Sequence, residues 1–261
     1  MTPVEVHEGD SPVILGLPHT GTYLPAEIHA RLNARGQELA DTDWHVDRLY
    51  DGLLAGATTV RATFHRYVID ANRGPDDASL YPGQNTTGLV PLTDFDGDPI
   101  WTDPPSAQGI ADRKARFHTP YHAALAGQIA RVRAKHGVAI LYDCHSIRSH
   151  IPFLFDGTLP DFNIGTAGGT TCDPRIESAV LDAVKDQSHV LNGRFKGGWT
   201  TRHYGQPATG VHAIQMELAQ STHLARETAP FDYDDAKARA LRPTLQTILT
   251  RLADLAPTLR A

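Results

Sequence analysis

The chain reads as an α/β protein with a mixed central sheet. Short apolar runs of strand length alternate with longer helix-like segments, the pattern of a layered α/β fold. Between Lys135 and Glu217 several candidate strands follow one another, so some neighbours are expected to run antiparallel. At 261 residues there is room for one large domain or two small ones. No internal repeat, low-complexity tract or long linker divides the chain.

The elements follow in order. Val13-Ile14-Leu15-Gly16-Leu17 is a continuous apolar run and reads as a buried strand. Segment 25–32 reads as a helix, and so does 44–54, with Asp41, Thr42 and Asp43 as candidate N-caps. Strand-like runs come next at 58–62 and 67–69. Segment 72–112 shows little periodicity, and a loop that long in a compact domain is usually functional. Segment 111–135 is the longest helical stretch, and Pro120 must start a new piece of it or kink it. A strand at 138–142, a polar loop at 155–172, a helix at 179–185, a strand at 211–216 and a helix at 234–255 complete the set.

Composition excludes several functions. Apolar residues make up 41% and charged residues 21%, so a packed core is expected rather than disorder. The net charge of −6, with no Lys/Arg run, argues against nucleic acid or membrane surfaces as partners. No apolar stretch reaches the roughly 18–20 residues of a membrane span. The N-terminal MTPVEVHEGD lacks the basic and apolar regions of a secretory signal, so a cytoplasmic location is expected. Two cysteines, Cys144 and Cys172, are too few for a disulfide framework. Histidine, at 14 residues, is abundant.

Polar clusters follow the apolar runs, where α/β sheets place their ligands. They are Pro18-His19-Thr20-Gly21, Asn72-Arg73, Asp143-Cys144-His145-Ser146 and Glu217. Two imidazoles and one carboxylate with an open position make a catalytic zinc shell. His19 and His145 are the candidate imidazoles. The third ligand is open among Asp43, Asp47 and His45. Asp143 is placed to orient His145, and Glu217 is the candidate general base. The plainer readings are a hydrogen-bonded loop histidine for His19, a helix cap for Asp43 and a turn for Asn72-Arg73. Cys144 neighbours His145, but adjacent strand residues point to opposite faces, which disfavours a Cys–His dyad. Asp94-Phe95-Asp96-Gly97-Asp98 lacks the spacing and closing Glu of a calcium loop.

Several segments together resemble the N-formylglutamate amidohydrolase family. They include Pro18-His19-Thr20-Gly21, Asp41-Thr42-Asp43-Trp44-His45-Val46-Asp47, Asp70-Ala71-Asn72-Arg73, Pro120-Tyr121-His122, Asp143-Cys144-His145-Ser146, Gly197-Gly198-Trp199 and Gln215-Met216-Glu217-Leu218. They run in order through nearly the whole chain, so residues 1–261 are taken as one catalytic domain.

The family is distantly similar to zinc carboxypeptidases and aspartoacylases. This implies a three-layer α/β/α fold around a mixed sheet. In those relatives a His-x-x-Glu motif supplies two ligands. Here Thr22 stands three residues after His19, which turns attention to Asp43.

The resemblance implies hydrolysis of N-formyl-L-glutamate in histidine degradation. One divalent metal, zinc by preference, would be held by His19, Asp43 and His145. Asn72 and Arg73 would grip one carboxylate of a small dicarboxylate substrate. Arg148, Arg202 and Lys196 are candidates for the other, and Arg66 or His203 for steadying the oxyanion. Gly197-Gly198 would let the backbone approach the ligand closely. The competing readings are an amidohydrolase for N-formyl- or N-acetylaspartate, a non-catalytic binding protein for such a ligand, and a metal-storage protein.

Overall fold

The computed structural model describes residues 1–80 and 82–259. Among them are seven strands in one mixed sheet: β1 (Val4–His7), β2 (Val13–Leu17), β3 (Thr58–Ala62), β4 (Ala139–Ile147), β5 (Phe162–Gly165), β6 (His189–Leu191) and β7 (Val211–Ala219). Their spatial order is β1-β3-β2-β4-β7-β5-β6. The central strands β3, β2, β4 and β7 are parallel. β1 joins β3 and β5 joins β7 in antiparallel fashion, while β6 runs parallel to β5. The expected mixture of directions therefore arises from β1, β5 and β6, which carry no clear strand signal. β5 lies inside the segment expected to be a loop.

The helices are α1 (Ala26–His29), α2 (Ala34–Gln37), α3 (Val46–Tyr50), α4 (Ala107–Arg113), α5 (Thr119–His136), α6 (Pro174–Val184), α7 (Trp199–Tyr204) and α8 (Asp235–Leu255). Four of them start on side-chain caps, α2 with Asn33 accepting from Gly36 N–H. Ser106 accepts from Gly109 N–H, Asp173 from Arg175 N–H, and Asp234 from Ala236 and Lys237 N–H. The expected helix 111–135 begins earlier, with α4, and passes through one π-helical turn (Lys114–His118) into α5. Pro120 follows directly on that turn, in which Thr119 N–H donates to Lys114 O, one residue further back than in an α-helix.

The layers follow from strand alternation. Ile140, Tyr142, Ile214 and Met216 point to one face and pack on Val46 and Leu49 of α3, Ile176 and Val180 of α6, and Leu245 and Leu249 of α8. Leu141, Ala213, Ile14 and Val60 point the other way onto Leu125, Ile129 and Val132 of α5. Each fully buried aliphatic side chain contributes about 1.5–3 kcal/mol relative to exposure. No helix among the described residues is long and apolar enough to cross a membrane.

One expected strand is absent. Tyr67, Val68 and Ile69 are fully buried, but the first two lie in a turn and Ile69 in irregular backbone. Their backbone finds partners other than a neighbouring strand. The Arg113 guanidinium donates to the carbonyls of Tyr67 and Val68 at 3.4 and 3.2 Å, and Asp70 N–H donates to Leu89 O at 2.7 Å. A buried apolar run is thus satisfied without a ladder.

Candidate active site and metal centre

β4 and β7 run further than their apolar sequences predict, and pairing continues to Ile147 and Ala219. The cluster Asp143-Cys144-His145-Ser146 is therefore strand rather than loop. Alternation separates its members. Cys144 faces the core on the α3 side, with its thiol pushed up by burial and the neighbouring acids. Asp143 and His145 face the other way, beyond the apolar cover of α5. In register beside them on β7 are Gln215 and Glu217.

His19 follows β2 and meets this row. One potential ligand atom from each of His19, Asp43 and His145 lies within 4.8 Å of the other two, and all three residues are buried. Asp43 Oδ2 is 3.2 Å from His145 Nδ1 and 3.8 Å from His19 Nδ1. The outer ring nitrogens are held by acids. His19 Nε2 donates to Asp70 Oδ1 at 2.7 Å, and His145 Nε2 lies 3.1 Å from Asp143 Oδ1. Both imidazoles thereby present Nδ1 to Asp43, and His19 Nδ1 is buried with no hydrogen-bond partner.

Of the three acids and histidines at the start of α3, only Asp43 reaches the pair. Asp47 pairs with Arg61 at 3.5 Å, and His45 Nε2 bonds to Phe231 O at 3.0 Å. None of Asp41, Thr42 and Asp43 caps α3, whose N-cap is His45 in the left-handed region. Asp41 instead accepts from Tyr67 Oη and Phe95 N–H. Asp43 accepts from Ser146 N–H at 3.2 Å.

The electrostatics favour a cation. Asp43, Asp70, Asp143 and Glu217 are buried together with one guanidinium, that of Arg66. Ionised carboxylates there call for positive charge beyond that guanidinium, from the His145 imidazolium or from a bound cation. Burial raises Glu217 to about 8, with Asp43 and Asp143 adding to the effect and His145 and Arg66 opposing it. Burial disfavours the charged form of His145, but Asp143, Asp43 and Glu217 outweigh it and hold the imidazole well above the usual range. Burial and the Arg66 charge push His19 down, toward the neutral form that ligates metal. Two Nδ1 atoms and a carboxylate, in a pocket of buried acids, fit a zinc-type ion with an open coordination position.

The cavity beside this cluster is lined by Arg66, Asn72, Arg73 and Arg194, among others. Arg66 is turned toward the metal-type cluster. Its Nη2 donates to Asp70 Oδ2 at 2.8 Å, and its Nη1 is 3.9 Å from Asp43 Oδ1. Asn72 Oδ1 accepts from Thr200 N–H at 2.9 Å, and its Nδ2 lies 3.1 Å from His145 Nε2. Arg73 Nη2 donates to Thr86 Oγ1 at 2.5 Å. A Cβ on Gly198 would collide with the Asn72 amide, so the glycine there leaves room for that side chain.

Other candidates fall outside the cavity lining. Arg148 pairs with Asp96 at 3.0 Å, and Arg202 Nε donates to Gly197 O at 2.9 Å. Lys196 is exposed and does not line the cavity. His203 is exposed and stacks on Trp199 with ring centroids 4.1 Å apart. The Asp94–Asp98 loop closes around Arg35, which contacts Asp94, Asp96 and Asp98, and Asp96 also faces Arg148.

Sequence reasoning misses four contributors. Asp70 holds both His19 and Arg66, although its place in Asp70-Ala71-Asn72-Arg73 was the available signal. His118 Nε2 bonds Arg73 O and His122 Nε2 bonds Ala71 O, both at 2.9 Å. The two rings thus bracket Asn72, and the π-helical turn carries His118 to its place. Arg194 lines the cavity from the loop before α7, with no periodicity or motif to mark it.

A buried histidine–carboxylate cluster with Glu217 beside it lies at the carboxyl ends of parallel strands, where α/β enzymes place their active sites. The chain belongs to the N-formylglutamate amidohydrolase family, whose model matches residues 11–224. It is 48% identical over 250 residues to an N-formylglutamate deformylase of Pseudomonas aeruginosa, covering 94% of this chain and 93% of that one. A second N-formylglutamate deformylase, from Pseudomonas putida, is 45% identical over 253 residues, covering 94% of each chain. The crystal structure of an N-formylglutamate amidohydrolase from Ralstonia eutropha shares the fold, with a TM-score of 0.84 at 24% identity over 99% of each chain.

Proposed function

We propose that this chain hydrolyses N-formyl-L-glutamate to L-glutamate and formate, using one divalent metal, zinc by preference. The observation that carries the reading is the convergence of His19 Nδ1, Asp43 and His145 Nδ1 beside Glu217. The deformylase names of the relatives at 48% and 45% identity support the substrate.

His19, Asp43 and His145 would hold the ion, with Asp70 and Asp143 fixing the two rings. When bound, the ion polarises the formyl carbonyl and brings the pKa of the attacking water near 7. Glu217 accepts a proton from that water at its carboxylate, while Gln215 Nε2 donates to Glu217 Oε2 at 3.1 Å and steadies it. Water oxygen bonds to the formyl carbon and the C–N bond breaks. Glu217 delivers its proton to the departing nitrogen, so formate and free amine leave. Arg66, tied to Asp70 and Asp43, keeps those carboxylates in place. Arg73 grips the substrate carboxylate next to the scissile amide, since Asn72 beside it touches His145.

The test is a substrate comparison on metal-loaded protein. N-formyl-L-glutamate is expected to release formate faster than N-formyl-L-aspartate, and N-acetyl-L-glutamate to release little acetate. Equal rates on all three would contradict the assignment.

A further inference from the structure

We propose that Arg194 grips the side-chain carboxylate of the substrate and so selects a dianionic acyl amino acid. The inference rests on the deformylase reading and deepens it. A dicarboxylate needs two cationic grips, and three guanidinium groups line the cavity among the described residues: Arg66, Arg73 and Arg194. Arg66 is buried and bound to Asp70. Of the lining arginines, Arg73 is assigned one carboxylate and Arg194 the other; Arg148 and Arg202 lie outside the lining.

Arg194 is held in a fixed pose at the outer wall. Its Nε donates to Leu154 O at 2.9 Å and its Nη2 to Asn85 O at 2.8 Å. Arg73 Nη2 donates to Thr86 Oγ1. The two arginines therefore hold adjacent residues of one segment. Standard bond lengths place their Nη2 atoms within about 12 Å, the reach of two carboxylates separated by a glutamate backbone and side chain. The next residue supplies a further donor on the same wall: Thr87 Oγ1 is buried and has no hydrogen-bond partner. The α-carboxylate must stay close to the scissile amide and thus near Asn72 and Arg73. The distal carboxylate then reaches outward to Arg194 and Thr87.

The test compares N-formyl-L-glutamate with N-formyl-L-glutamine, which replaces only the distal carboxylate by an amide. In Arg194→Gln, kcat/KM on the glutamate compound is expected to fall about 100-fold, mainly through KM. Activity on the glutamine compound should change less than about 3-fold, so the preference collapses. Arg194→Lys should recover part of it, and Arg148→Gln and Arg202→Gln should keep it. An equal fall on both compounds in Arg194→Gln would show a merely structural role and overturn the proposal. Wild-type protein that releases formate from neither compound would instead contradict the deformylase reading itself.

Discussion

His145 and Glu217 stand in register on the neighbouring parallel strands β4 and β7. The pleat sends both side chains to the same face, so the proposed metal ligand and the proposed proton carrier are fixed by one backbone ladder. Strands hold such a pair more rigidly than loops would. The roles are separable by substitution. Glu217→Gln is expected to bind metal as wild type does while kcat falls about 100- to 10,000-fold. Metal content and steady-state kinetics on the same preparation check this. Loss of metal together with activity would make Glu217 a ligand instead.

The acids behind the two histidines make a second prediction. Asp143 lies behind His145 Nε2, and its other oxygen accepts from Thr201 Oγ1 at 3.1 Å. Asp143→Asn is expected to weaken metal affinity about 10- to 100-fold, read by chelator competition. Asp47→Asn should leave the affinity unchanged, because Asp47 points to Arg61.

Gly198 gives a steric prediction. Its missing Cβ makes room for the Asn72 amide, which sits between Thr200 N–H and His145. Gly198→Ala should displace Asn72, cost about 1–3 kcal/mol of stability and raise KM. Thermal unfolding and kinetics measure the two effects separately.

Acid sensitivity follows from buried neutral histidines. Burial lowers His122 to about 3 and His223 to about 4. Between those values and the unfolded value near 6.5, the unfolded chain binds more protons, so stability falls as pH falls through that window. At pH 5 each histidine should have removed about 2 kcal/mol relative to neutral pH. The urea midpoint at pH 7.5 and at pH 5 reads the sum over these two and the other histidines that burial holds down, His19, His65, His118 and His212, and His223→Asn should remove only its own share of about 2 kcal/mol.

The central parallel strands were legible because continuous apolar runs such as Val13–Leu17 have little alternative to burial. Asp143, His145 and Glu217 were legible because polar groups directly continuing such runs stay buried with them. The edges were not. β1 and β6 are short and half-exposed, and Tyr67-Val68-Ile69 has a strand's composition but takes its backbone partners from Arg113 and Leu89. Asp43 could be separated from Asp47 and His45 only by the direction each takes around the start of α3. Arg194 reaches the cavity through a loop path that no local pattern encodes, whereas Arg148 and Arg202, equally basic, turn away to Asp96 and Gly197.

The most direct test of the account is formate release from N-formyl-L-glutamate by protein stripped with a chelator and then reloaded with zinc. The account predicts no formate from the stripped protein, full recovery on reloading, and one metal ion per chain that is lost in His145→Ala and Asp43→Ala. Undiminished formate release by the stripped protein, or tight metal binding that survives both substitutions, would contradict it.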